Sequence, residues 1–140
     1  MLKKRTFFWV GIPLLLVIGF AWAWHLYDKP HQSAADETIT LSIAADSLYQ
    51  QYQSNEKAAD QKYLGKVIEV TGRISEIQHN GNSEIWILST QAGGGGINCE
   101  LFPGAKTDTH PKTGDNVTVK GRCTGFLMDV NLADCVLSNK

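Results

Sequence analysis

The run Lys66-Val67-Ile68-Glu69-Val70-Thr71-Gly72-Arg73-Ile74-Ser75-Glu76-Ile77 has the signature of one long, bent β-strand. Val67, Ile68, Val70, Ile74 and Ile77 are β-branched, a side-chain type that packs well on a pleated surface. Gly72 interrupts the run, and the alternation slips before Ile77. A glycine inside a long strand marks a bulge or a sharp bend. A strand of this kind can belong to both halves of a small closed barrel.

Working outward, the chain supplies four more strands. His79-Asn80-Gly81-Asn82 is a turn signal, and Ser83 to Ser89 with Ile85, Trp86, Ile87 and Leu88 is the second strand. Gly93 to Gly96 form a flexible connection to a third strand, Ile97 to Phe102, with Ile97, Cys99 and Leu101 on one face. Pro103 to Gly114 is polar and irregular, and Lys112 to Asp115 turn into the fourth strand. There Val117, Val119, Gly121 and Cys123 alternate with Thr118, Lys120 and Arg122. Val130 to Leu137 is the fifth, with Val130 and Leu132 inward at its start. Upstream of Gly65 the period is helical. Ser42 is placed to cap a helix, Asp46 suits its first turn, and Leu48, Tyr52, Asn55 and Ala59 make one stripe bordered by Tyr49 and Tyr63. Asn55 on that stripe is either a buried amide bonded to the barrel backbone or a ligand contact. The pattern predicts an all-β domain with one leading helix: a five-stranded OB-fold barrel, preceded by an α-helix and an N-terminal transmembrane helix.

Phe7 to Ala23 is almost continuously apolar and follows Lys3-Lys4-Arg5. Basic residues stay on the cytoplasmic side, so the chain is expected to run N-inside and C-outside, with the domain extracytoplasmic (periplasmic). Trp22, Trp24 and Tyr27 suit the outer headgroup belt. Ala21-Trp22-Ala23 also fits a small-x-small cleavage pattern, which would make the segment a removable signal peptide. The expected layout is a membrane anchor or signal peptide over 1–27, in contact with the bilayer through 7–27, a linker over 28–41, and the helix plus barrel over 42–140.

From His31 onward nine Lys and Arg stand against thirteen Asp and Glu, a net of −4. A domain of that sign repels polyphosphate unless its cations cluster. Trp86 and Phe102 are the candidate stacking residues for a single strand, but Glu84 and Glu100 share their strands. Glu69 and Glu76 flank Arg73, which favours a solvated face with paired charges there. A protein, peptide or glycan ligand is therefore expected ahead of nucleic acid, with Trp86, Phe102 and Asn55 as ligand-binding candidates. No nucleophile–base pair is visible, so no catalytic residue is assigned. The glycines of Gly93 to Gly96 lack the Gly-Lys-Ser/Thr of a phosphate loop. His25, His31, His79 and His110 are scattered and no Cys-x-x-Cys occurs, so neither a metal nor a cofactor is expected. Cys99, Cys123 and Cys135 allow three single bridges. In an oxidising compartment Cys123–Cys135 would tie strands four and five, although it needs a long or bulged turn. Cys99 would then be a buried thiol.

The runs Leu48-Tyr49-Gln50-Gln51-Tyr52, Asn55-Glu56, Ala58-Ala59-Asp60, Tyr63, Gly65-Lys66 and Val70-Thr71-Gly72 resemble the tRNA-anti-like OB-fold family of bacterial proteins. Val119 to Gly125 and Asp129 to Cys135 are similar to it as well. The resemblance spans Ser42 to Leu137. It implies the OB fold and, since many members carry an anchor or lipoprotein signal, a link to the membrane. The family's name reflects likeness to an anticodon-binding domain and implies no particular ligand.

Overall fold

A computed structural model describes residues 17–23, 34–105 and 109–138. The chain divides into two units, 1–31 and 32–140. In the first, residues 17–23 are helical, with Val17, Ile18, Phe20 and Trp22 exposed. No helix among the described residues is long and apolar enough to cross a membrane. Most of the expected anchor lies outside the described residues, as does 28–33 of the expected linker.

The second unit is a closed five-stranded barrel with short helices. Its strands are β2 (Val67–Asn80), β3 (Ser83–Ser89), β4 (Gly96–Leu101), β5 (Asn116–Phe126) and β6 (Val130–Leu137). They follow the order β2-β3-β4-β6-β5, and a β2–β5 pairing closes the ring. β4 and β6 run parallel; the other barrel pairs are antiparallel. This is the OB arrangement. The first half of β2, Val67 to Arg73, pairs with β5, and the second half, Arg73 to Asn80, pairs with β3. One strand does serve both halves of the barrel. The register slips between Ile74 and Glu76, at Ser75, and not at Gly72. Gly72 answers a close approach instead: a Cβ there would lie 2.8 Å from the Ala45 Cβ.

The leading segment departs from expectation in two ways. Leu41–Ala44 is a strand, β1, parallel to β2, and Ser42 caps nothing: its hydroxyl donates to Glu69 Oε2 at 2.7 Å. The single expected helix is two, α1 (Ala45–Ser54) and α2 (Glu56–Tyr63). Asn55 breaks them apart at φ −161°, and its side chain accepts from the Ala58 N–H at 3.1 Å. It is an exposed N-cap, neither buried against the barrel nor aimed at it. The expected linker also packs from Ala34 onward: Ala34 is buried, Lys120 Nζ donates to the Ala35 carbonyl, and Arg122 pairs with Glu37.

The helices plug one side of the core. Leu48, Tyr49, Tyr52, Ala59 and Tyr63 pack with Ile68, Val70, Ile74, Trp86, Leu88, Ile97 and Val119 in one apolar cluster. Tyr52 stacks on Phe126 at 5.5 Å between ring centres, and Tyr49 meets Phe126 edge-on. Burying such rings is the main favourable term for a domain of this size.

Candidate functional site

The expected ligand residues do not converge. Trp86 points into the barrel, 2 % exposed, and its indole N–H donates to Glu84 Oε1 at 2.6 Å. Phe102 is half-buried just past the end of β4, where its N–H donates to the Cys135 carbonyl. Asn55 caps α2. None of the three faces another across a shared surface.

The same alternation that sends Trp86 and Leu88 inward sends their neighbours outward, and those neighbours do form a surface. Glu76 on β2 stands opposite Ile87 on β3, Ile87 opposite Asn98 on β4, and Asn98 opposite Asn131 on β6. The next row is Gln78, Ile85 and Glu100. Asn98 Nδ2 donates to Asn131 Oδ1 at 3.2 Å and to Asp129 Oδ2 at 3.4 Å. Asp129 Oδ1 accepts from the Gly96 N–H at 2.6 Å. Asn98 Oδ1 is buried without a hydrogen-bond partner. Two isoleucines thus lie beside an amide–carboxylate cluster, and neither row holds a Lys or Arg.

Two hairpins border this face. In the β2–β3 hairpin His79, near the end of β2, stands opposite Glu84 at 4.0 Å. The β5–β6 turn presents Leu127 and Met128, 84 % and 76 % exposed. Met128 sits at φ 90°, a conformation that bulky L-residues rarely adopt. The turn is nevertheless well held: the Leu127 N–H donates to the Asp129 carbonyl, and a Cβ on Gly95 would lie 2.6 Å from the Met128 carbonyl oxygen. Gly93 to Gly96 are therefore more than a flexible link, since Gly95 is wedged between Met128 and the Tyr49 hydroxyl.

Several cations of the domain serve its own backbone. Arg73 donates to the Gly114 carbonyl, Lys66 to that of Lys62, Lys120 to that of Ala35, and Arg122 to that of Gly65. Arg73, Lys120 and Arg122 do not assemble a basic groove. Nor is Glu69 a solvated partner of Arg73: it is 3 % exposed, and it accepts from Ser42 and Ser138.

All three cysteines are free and buried. The expected Cys123–Cys135 bridge is not formed, because Cys123 stands opposite Leu132 and its sulfur is 3.2 Å from the Tyr52 hydroxyl. Burial, then the bond to Cys123, pushes the Tyr52 phenol well up from its ordinary value. Burial likewise raises the Cys123 thiol. For Cys135 the hydrogen bond with Cys99 is the first cause and burial the second, and its thiol is raised well above the ordinary range. These are poor nucleophiles at neutral pH. Among the described residues no group of three His, Cys, Asp or Glu side chains is arranged to hold a metal ion. Open grooves among the described residues include one of about 520 Å³ over Gln50, Gln51, Asn55 and Lys62 of the helices and one of about 530 Å³ beside His110, Asn116 and Ser138.

Comparison with known proteins places this architecture. The sequence profile described as tRNA_anti-like matches residues 1–137. The chain belongs to that family. The match takes in the N-terminal apolar segment as well as the OB domain. Among solved structures, a protein of Klebsiella pneumoniae subsp. pneumoniae MGH 78578, named "putative nucleic acid-binding lipoprotein", is similar to this tRNA_anti-like chain. It superposes with a TM-score of 0.57 at 16 % identity, over 71 % of this chain and 93 % of its own. That likeness concerns the fold. Two OBodies bound to hen egg-white lysozyme align more loosely, both with a TM-score of 0.41. AM3L09 is 21 % identical over 56 % of this chain and 87 % of its own; AM1L10 is 19 % identical over 81 % and 98 %. No curated protein sequence matches the chain.

The outward residues Ile85, Ile87, Asn98, Asn131 and Asp129 were passed over in the sequence in favour of aromatic rings. The signal was present, since fixing Trp86 and Cys99 as core by period two turns Ile85, Ile87, Asn98 and Glu100 to the outer face, the first three half-buried and Glu100 exposed.

Proposed function

We propose that this tRNA_anti-like protein is a membrane-tethered binding module. Its OB domain faces away from the cytoplasm and takes a protein, peptide or glycan on the face built by β3, β4 and β6 with the adjoining part of β2. The observation that carries the ligand class is the composition of that face: Ile85 and Ile87 beside Asn98, Asn131, Asp129, Glu76 and Glu100, without a cation in either row. Aliphatic surface with amides and carboxylates suits neutral or basic partners, while the phosphates of a nucleic acid need Lys and Arg. OB folds use this face and its two bordering hairpins for oligonucleotides and oligosaccharides alike. Leu127 and Met128 are then the apolar rim of the seat. The outward placement is supported by Lys3-Lys4-Arg5 ahead of the apolar segment. The Klebsiella protein's name as a lipoprotein agrees with it. The chemistry offered is binding rather than catalysis.

A second reading, binding of a single-stranded nucleic acid, is favoured by the other half of that neighbour's name. Crosslinking in bacterial cells separates the two. With p-benzoylphenylalanine in place of Ile87, irradiation is expected to give adducts that resist nuclease and carry either peptides of a second protein or a mass that a glycan hydrolase removes. The same group in place of Glu56, on α2, is expected to give none. Nuclease-sensitive adducts would establish the second reading, and no adduct at Ile87 would remove this face as the seat.

A further inference from the structure

We propose that the partner of the sheet face is a basic segment of a protein: an extended stretch with two or more Lys or Arg residues, their stems on Ile85 and Ile87 and their charges on Glu76, Glu100 and Asp129. The inference rests on the reading of this face as the seat and narrows what sits there. On β3 the two isoleucines are one two-residue step apart, both half-buried on the outer side. Each stands directly opposite a glutamate, Ile87 across from Glu76 on β2 and Ile85 across from Glu100 on β4. On the other flank each faces an amide, Asn98 beside Ile87 and Gln78 beside Ile85. An aliphatic ridge thus runs between two carboxylates that lie about 12 Å apart by strand spacing and rise.

The domain does not neutralise these carboxylates itself. Glu76 accepts from the Gln78 amide at 2.9 Å. Asp129 accepts from the Gly96 N–H and the Asn98 amide, both uncharged. Glu100 is exposed. Among the described residues the ion pairs are His79–Glu84 and Arg122–Glu37, and none of the three carboxylates takes part in one. The bordering cations are engaged elsewhere. Arg73, in the next row opposite Ser89, donates to the Gly114 carbonyl. Arg122, opposite Ala133, donates to the Gly65 carbonyl and pairs with Glu37.

Lysine and arginine match both parts of this pattern. Their stems lie along apolar surface while the charged head reaches past it. A glutamate directly across from each isoleucine, about 5 Å away between Cβ atoms, is placed to take that head. An extended segment advances about 7 Å every two residues, the same step as Ile85 to Ile87, so side chains two apart cover both isoleucines at once. A neutral segment would pack on the isoleucines but cover the carboxylates without pairing them, and desolvated, unpaired charge is costly. A sugar ring would find no aromatic face in either row, because Trp86 is inside the barrel. The field of three unpaired carboxylates draws a cationic segment in and repels an acidic one.

The test uses the full chain in neutral detergent micelles and a fluorescein-labelled peptide of alternating lysine and serine, twelve residues long, read by anisotropy. Peptides with glutamine or glutamate in place of every lysine are the controls. The lysine peptide is expected to bind, less tightly as salt rises, and the other two to show no binding. Glu76→Gln with Glu100→Gln is expected to weaken binding about tenfold, the effect of losing two ion pairs. Glu56→Gln with Asp36→Asn removes the same charge from exposed positions on α2 and ahead of β1, and is expected to change affinity by less than about twofold because distant charges are screened. No binding of the lysine peptide, equal binding of the glutamine peptide, or an equal loss in both double variants would overturn the proposal. The crosslinking at Ile87 tells that failure apart from failure of the seat. Adducts there without binding of the lysine peptide would leave the seat standing with a partner of another class, whereas no adduct would remove the seat and this inference with it.

Discussion

Glu69 and Asn55 are two polar residues whose surroundings run opposite to their neighbours in sequence. Glu69 lies in a β-branched run, is 3 % exposed, and accepts from Ser42 at 2.7 Å and Ser138 at 2.6 Å. It ties β1 and the chain past β6 to the start of β2. Glu69→Ala removes two hydrogen bonds at a buried side chain and is expected to cost about 1–3 kcal/mol in urea unfolding. Asn55 sits on a helical stripe yet interrupts it. Asn55→Ala is expected to lose about 1 kcal/mol, and Asn55→Asp to lose nothing, because a carboxylate can accept the same Ala58 N–H at a positive helix end. Equal losses in the two Asn55 variants would show that the amide does something beyond capping. Both residues were misjudged from sequence for one physical reason. Periodicity reports which face a position belongs to, while the roles of Glu69 and Asn55 depend on what lies 69 residues away along the chain, or on a local break in the period.

At the scale of elements, the strands were legible and their ends and partners less so. β3 and β6 begin and end where alternation and turn residues place them, at Ser83–Ser89 and Val130–Leu137. β1 was hidden because Leu41-Ser42-Ile43-Ala44 is too short to show a period, and its parallel pairing depends on β2 being in place. The β5–β6 hairpin carries the sharpest conflict between local preference and structure. Met128 holds φ 90° with its side chain 76 % exposed, so nothing packed around the side chain repays the strain. Glycine adopts that conformation freely, at the expense of a more flexible unfolded chain. Met128→Gly is therefore expected to leave stability unchanged or raise it by up to about 1 kcal/mol in thermal or urea unfolding. It is also expected to weaken the crosslinking at Ile87, because the apolar rim is gone. A variant that unfolds more easily would show that Met128 supports the fold, and the argument for it as a rim residue would lapse.

For the whole molecule, the question is which ligands the distribution of charge permits. The OB barrel itself has no preference, since the fold serves oligonucleotides and oligosaccharides. Net charge could be read from the sequence, whereas the deployment of the cations could not: Arg73 stands at the Asn116 end of the β2–β5 pairing and Lys120 and Arg122 toward its other end, and they are committed to Gly114, Ala35, Glu37 and Gly65. A single strand crossing β2, β3, β4 and β6 would meet Glu76, Glu100 and Asp129 in place of the basic groove that phosphates require. A fluorescein-labelled dT12 titrated with the full chain in micelles is accordingly expected to bind more weakly than about 100 µM at 150 mM salt, at or beyond the weak end of non-specific binding. Glu76→Lys with Glu100→Lys is expected to create measurable binding at 50 mM salt, and that binding should fall as salt rises, because each new phosphate contact releases counterions. Tight binding by the unaltered chain with a steep salt slope would mean that cations outside these rows form the true groove. Binding that is tight and insensitive to salt would instead mean that stacking carries it, and with Trp86 inside the barrel the half-buried Phe102 would be the ring to test.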